Sequence, residues 1–289
     1  MSSQGVVLYN WGLPCVPRLF VALRSLRRHY KGPVTVMAPQ GDITAVKYKD
    51  DILREGADFL EFPVPLPWFP ELKVTAKLWV LRASPYARTV VYENDFLFRG
   101  SPEPIFDLCA STGFGICRYH GQQGTTRGTA YLARRQWRDW PGLPALMGPD
   151  TRSYNHGMIY MAAGHPFLEE WGLLMERWGK WTFAEEHIAN VWCNLRLGEI
   201  GTTWTEVPEI YNLGMKFARN RDLRVATALH YIKSRHLHAA QMNSSRKLWR
   251  RAFRKLCTKN PPRCLQEMLT WEPELSTQIV AAGGVEHLW

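Results

Sequence analysis

An α/β fold with a mostly parallel central sheet flanked by helices is predicted by three features of the 289-residue chain. First, apolar β-branched runs alternate with helical patterns. Gly5 to Trp11, Val16 to Tyr30 and Val34 to Ala38 make a β-α-β unit, which implies a parallel pair joined by a right-handed crossover. Second, the run Thr89-Val90-Val91-Tyr92 is continuously apolar, as in a central strand covered on both faces, and it delivers Glu93-Asn94-Asp95 at its carboxyl end. Ligands of open α/β sheets gather at such ends. Third, the length suffices for one large domain, and no charge run or Gly/Ser linker divides it. Residues 1–243 are expected to form that domain, and 244–289 a basic helical extension.

The elements follow in order. After the Gly12-Leu13-Pro14 breaker, Leu19, Phe20, Leu23 and Leu26 recur at helical spacing, with Arg24, Arg27 and Arg28 expected on an outward basic face. Asp50 to Gly56 suggests a short helix and Ala57 to Phe62 a strand. Pro63 to Pro70, with four prolines, requires an extended loop. Leu72 to Ala83 has Val74, Leu78 and Leu81 on one helical face, with Lys73 and Lys77 one turn apart. Solvated lysines are the ordinary reading of that pair; the other is approach to a diphosphate.

Pro102 to Leu108 and Gly113 to Arg118 predict a short helix and a strand, followed by His120 to Gly128, too polar for core and expected as a flap. Asn155 to Met161 joins a polar turn to an apolar strand, and Phe167 to Trp181 is amphipathic at helical period. Thr182 followed by Glu185 forms a capping-box pattern, which accounts for Glu185 structurally but not for Glu186 beside it. Trp204 to Val207, a turn at Pro208 to Asn212 and a strand at Ala228 to Ile232 complete the core. His230, Lys233, Arg235, His236 and His238 cluster at that last strand's end.

Glu93 and Asp95 stand two apart, so both face one side of an extended segment or reach one cation from a turn. Hard oxygen ligands suit Mg²⁺ or Mn²⁺, which in turn hold a diphosphate, and an imidazole such as His230 completes a plausible Mn²⁺ set. The plain alternative is an acidic turn between strands. A net charge of +10 fits an anionic partner without choosing among nucleotide, membrane and nucleic acid. The six cysteines show no C-x-x-C pairs, which excludes a zinc framework and suggests reduced thiols in a cytoplasmic protein. No signal-peptide pattern and no long apolar span is present.

Between Ser244 and Cys264 there are eight Lys or Arg and no acid, with Leu248, Trp249, Phe253 and Leu256 at helical spacing. Such a helix either lies in an anionic membrane surface, giving peripheral attachment, or packs its apolar face on the domain. No nucleic acid is expected as partner, because the cations are confined to one helix.

Taken together these segments resemble the GT-A nucleotide-sugar transferases, most closely glycosyltransferase family eight, which includes bacterial lipopolysaccharide galactosyl- and glucosyltransferases and glycogenin. VALRSLRRHYKGPVTV is similar to the family's first helix and second strand, and AKLWVLRASPYARTVVYENDFLF to the helix leading into its D-x-D strand. NHGMIYM is similar to its N-x-G segment, EEHIAN to its D-Q-D-x-x-N helix start, and LHYIKSRH to its H-[FY]-x-G-x-x-K segment. The resemblance implies a single Rossmann-like GT-A domain with Glu93, Asp95 and His230 as metal ligands for Mn²⁺ or Mg²⁺. It further implies donor binding by Asn10, Lys77, Asn155, Asn190, Lys233 and Arg235, with Glu185 and Glu186 at the catalytic centre. Glu93 replaces an Asp of the pattern, Glu186 replaces its Gln, His187 stands where a second acid occurs, and the Gly two after Tyr231 is absent.

The expected activity is a hexosyl- or pentosyltransferase that moves a sugar from a nucleotide-diphosphate sugar to a glycan, glycolipid or protein, with retention of configuration. The alternative is a catalytically weak GT-A protein that binds a glycan or nucleotide sugar, to which the Glu93 replacement points.

Overall fold

The computed structural model describes residues 3–12, 16–63, 77–123, 152–178, 184–214 and 220–230. Lys233, Arg235, nearly all of the proline-rich loop and the basic segment 244–264 lie outside the described residues. Among the described residues, no helix is long and apolar enough to cross a membrane.

Strand β1 (Gln4–Tyr9) and strand β2 (Val34–Pro39) flank helix α1 (Val16–His29) in sequence, as the β-α-β pattern predicts. Helix α1 carries more than an apolar stripe: Val16, Leu19, Phe20, Val21, Ala22, Leu23 and Leu26 are all buried. The outward basic face is therefore narrower than expected. Arg24 is instead paired with Glu55, and Arg27 donates to the carbonyls of Gly32 and Gly56, so both guanidiniums fasten the helix to neighbouring loops.

Helix α2 (Ile43–Lys47) was not apparent in the sequence because it is one turn long. Its start is nevertheless chemical, since the Asp42 carboxylate accepts from the Thr44 N–H. Helix α3 (Lys49–Arg54) ends where Gly56 takes φ 76°, a left-handed conformation that glycine adopts at least cost, and strand β3 (Asp58–Phe62) follows.

Helix α4 (Lys77–Arg82) leads into β4 (Arg88–Tyr92), β5 (Phe96–Phe98) and helix α5 (Pro104–Leu108). Strand β6 (Phe114–Gln123) continues through residues 120–123, where a polar flap was expected. It pairs antiparallel with β7 (Arg152–Ala162) and parallel with β8 (Thr205–Val207). Helices α6 (Pro166–Trp178) and α7 (Ala184–Leu195) pack on each other through Phe167, Trp171 and Trp192, with ring centroids 4.3 Å apart for Phe167 and Trp192. Burying an aromatic or aliphatic side chain of this size contributes about 1.5–3 kcal/mol.

The seven-stranded sheet has the order β3-β2-β1-β4-β7-β6-β8. Strands run outward from β1 in one direction and from β4 in the other, the doubly wound arrangement whose strand order reverses between β1 and β4. A smaller sheet, β5-β10-β9, is formed with β9 (Leu213–Gly214) and β10 (Ala228–His230), which helix α8 (Asn220–Val225) connects. The chain divides into two compact units: Met1–Val6, Phe62–Val91 and Glu103–Asn212 in one, and Val7–Glu61, Tyr92–Pro102 and Leu213–Trp289 in the other.

Candidate active site

The unit that contains Tyr92–Pro102 carries the acidic turn. Strand β4 ends at buried Tyr92, the chain turns through Glu93-Asn94-Asp95, and Phe96 starts β5. Tyr92 meets Phe96 and Phe98 edge-on, at centroid distances of 4.9 and 4.8 Å, so the turn is anchored in aromatic packing. Asn94 points away from its acidic neighbours: its amide donates to Asn10 Oδ1 at 2.7 Å. That bond ties the end of β1 to the turn after β4, and Asn10 in turn donates to Thr44 Oγ1 on α2 at 2.8 Å.

Strand β10 pairs antiparallel with β5 and sets His230 opposite Phe96. The two rings stack at 4.4 Å and 14°, and this places the imidazole beside both carboxylates. His230 Nε2 lies 3.2 Å from Glu93 Oε2 and 3.3 Å from Asp95 Oδ1. One ligand atom from each of the three residues falls within 4.8 Å of the other two. His230 is 3% and Asp95 8% exposed, so these charges act in a poorly hydrated setting. Burial, the largest single influence, pulls the His230 pKa down, but Asp95 and Glu93 together outweigh it and hold the pKa at about 9. Two hard carboxylates and one imidazole can together hold a divalent cation, so the residues fit a metal site of the kind expected from the sequence.

The other unit holds a second group of sequence-predicted residues. Lys77 is 0% exposed, with Nζ 3.3 Å from His156 Nδ1 on β7. Glu185, also fully buried, accepts the Leu78 N–H through Oε1 at 2.5 Å. Leu78 lies on α4, so Glu185 ties α7 to a helix 107 residues away in sequence.

Asn155 Oδ1 accepts from the Gly157 N–H at 2.7 Å and from Asn212 Nδ2 at 3.2 Å. The Asn190 amide is spent on backbone: Oδ1 accepts the Tyr154 N–H at 2.7 Å, and Nδ2 donates to the carbonyls of Tyr154 and Glu186, both at 2.9 Å. Asn194, one turn on, grips Arg152 in the same two-bond manner. Two asparagines four apart on α7 thus stand in for a neighbouring strand along β7, because one helical turn spans nearly the distance between alternate strand residues. Glu186 is half-exposed in the first turn of α7. Burial pushes the pKa of His187 down to about 4, so the imidazole that stands in place of an acid is neutral near pH 7.

The structure therefore brings Glu93, Asp95 and His230 together in one unit, and in the other it joins Lys77 to His156 and Asn155 to Asn212. Tyr9, Asn94, His156 and Asn212 did not stand out in the sequence. The one signal available was that His156 adjoins Asn155 in the quoted N-x-G segment.

No protein-family model matches the chain, and no curated protein matches it in sequence. Solved structures do resemble it. The galactosyltransferase LgtC, crystallised with donor and acceptor sugar analogs, has a TM-score of 0.57 at 12% identity over 88% of this chain and 96% of that one. The glycosyltransferase GlyE of Streptococcus pneumoniae TIGR4 has a TM-score of 0.58 at 12% identity, covering 88% of this chain and 60% of that one. The bifunctional glycosyltransferase WbbM has a TM-score of 0.55 at 13% identity over 80% of this chain, which spans 46% of the WbbM chain. At these identities the likeness shows the fold, and the fold is the GT-A type expected from the sequence.

Proposed function

We propose that the chain is a metal-dependent glycosyltransferase that takes a sugar from a nucleotide-diphosphate donor and passes it, with retention, to a glycan, glycolipid or protein. The observation that carries this reading is the Glu93, Asp95 and His230 cluster at the end of β4, in a fold shared with sugar transferases. When bound, a divalent cation supplies Lewis-acid neutralisation of the charge that develops on the departing nucleoside diphosphate. Glu93, Asp95 and His230 would hold it. Lys77, buried with Nζ 3.3 Å from His156 Nδ1, is assigned to donor binding. Asn155, which lies within β7 rather than in the turn expected there and is fixed by Asn212 and by the Gly157 N–H, is assigned to donor hydroxyls.

Glu186 is assigned to the reacting centre, where a carboxylate stabilises positive charge developing on the sugar. Glu186→Gln is expected to lower kcat on the order of 100-fold and to leave the donor KM nearly unchanged, as measured by steady-state kinetics. A kcat equal to the parent's would leave Glu186 as a charge that merely complements the helix start.

One observation favours a second reading, a GT-A protein that binds its sugar ligand without turnover. The His230 imidazole already lies within 3.3 Å of both carboxylates, and when protonated it offsets part of their charge internally. The two readings part in a titration with Mn²⁺ across pH. His230 must lose its proton to become a ligand, and its pKa is about 9. Apparent Mn²⁺ affinity is therefore expected to rise about tenfold per unit from pH 7 to pH 9, with close to one proton released per ion, and to level off above that. Calorimetry in buffers of different ionisation enthalpy measures both quantities. An absence of Mn²⁺ binding at pH 9 would favour the second reading.

A further inference from the structure

Given a cation held by Glu93, Asp95 and His230, as proposed above, we infer that Tyr9 is a positioning residue that sets the Glu93 carboxylate for it. Glutamate has one more methylene and one more free torsion than aspartate, so its carboxylate sweeps a larger volume and loses more freedom on being fixed. Glu93 is held at both oxygens. Oε2 faces His230 Nε2 at 3.2 Å, and Oε1 accepts from the Tyr9 hydroxyl at 3.4 Å. Ligating carboxylates are commonly oriented by a hydrogen bond of this kind to the oxygen that is free of the metal.

Tyr9 is well placed for the task because little around it can move. It is the last residue of β1 and is 6% exposed. The next residue, Asn10, donates its N–H to the Met37 carbonyl at 2.9 Å and accepts at Oδ1 from Asn94 at 2.7 Å. One link secures the strand end to β2 and the other secures it to the acidic turn itself. The phenol and the carboxylate are thus held in register by backbone and amide bonds that do not involve either group.

The pairing is specific to the longer acid. An aspartate at position 93 would draw the carboxylate back by about 1.5 Å, one carbon–carbon bond. A hydroxyl already at 3.4 Å would then be out of hydrogen-bond range. Tyr9 and Glu93 therefore act as a unit, in which the hydroxyl restrains the side chain that the extra methylene loosens. Because 3.4 Å is long for an O–H···O bond, the effect falls at the lower end of what outer partners of metal ligands contribute.

The test is Mn²⁺ binding, followed by the electron paramagnetic resonance signal of the free ion, for the full chain, Tyr9→Phe, Glu93→Asp and the double variant. Tyr9→Phe keeps the ring and its packing and removes only the hydroxyl. It is expected to bind Mn²⁺ about 10-fold more weakly than the parent. In the Glu93→Asp background the same change is expected to alter affinity by less than about 2-fold, the non-additivity of two groups that act through one contact. Parent-like affinity of Tyr9→Phe, or an equal loss in both backgrounds, would overturn the role of Tyr9 and leave the cation site standing. Failure of the parent chain itself to bind Mn²⁺ would overturn both.

Discussion

Asp95→Asn is expected to fold like the parent and to lose transfer activity on the order of 100- to 1,000-fold. Asparagine keeps the shape of the side chain at a position only 8% exposed, and it removes the charge that retains a cation. Charge neutralisation at a leaving group amounts to several kcal/mol, and each 1.36 kcal/mol is a factor of about ten in rate. The fold survives because the imidazole adapts. Asp95 is the largest influence holding the His230 pKa up, so without it the pKa falls, while Glu93 Oε2, 3.2 Å from Nε2, remains as a partner for the ring. Transfer assays at limiting Mn²⁺, with circular dichroism to confirm folding, check both halves of the expectation. Activity equal to the parent's would remove Asp95 from the site.

Asn190→Ala is expected to cost about 2–6 kcal/mol of stability, the largest structural effect anticipated from a single polar side chain here. Its amide satisfies both the N–H and the C=O of Tyr154, a buried residue on β7. Alanine orphans both groups, and each buried unsatisfied group costs about 1–3 kcal/mol. Because β7 also carries Asn155, loosening it is expected to disturb the proposed donor contact secondarily. Asn194→Ala should cost less, since the bonds it makes to Arg152 are only partly buried. Thermal unfolding of the two variants measures this order. If Asn190→Ala melts with the parent and loses only donor affinity, the residue is a ligand contact rather than a strut.

These asparagines mark a limit on what the sequence disclosed. Strands such as Thr89 to Tyr92 and helix α1 were legible because burial imposes a local period, and the carboxylate pair was legible because it sits where such a strand must end. Glu185 and Asn190 were legible as polar residues at a helix start, but not by their partners. Spacing within α7 does not reveal that one carboxylate accepts from a backbone N–H of α4, or that two amides bond the backbone of β7. The smaller sheet was only partly legible. The strand expected at Ala228 to Ile232 is present as β10, whereas β5 and β9 are three and two residues long, too short for any period, and exist because they pair with β10. Arg24 and Arg27 looked like a solvated face until Glu55 and two loop carbonyls supplied their partners. His230, by contrast, was found by chemistry rather than pattern: an imidazole within an apolar strand, in a chain that already offered two carboxylates.

The most direct test of the central claim is release of nucleoside diphosphate from a panel of nucleotide sugars by the purified full chain, with Mn²⁺ and again after chelation. The account predicts release from at least one donor in Mn²⁺ and its loss on chelation, restored when the ion is returned. Release undiminished by chelation, or none from any donor at saturating Mn²⁺, would contradict it.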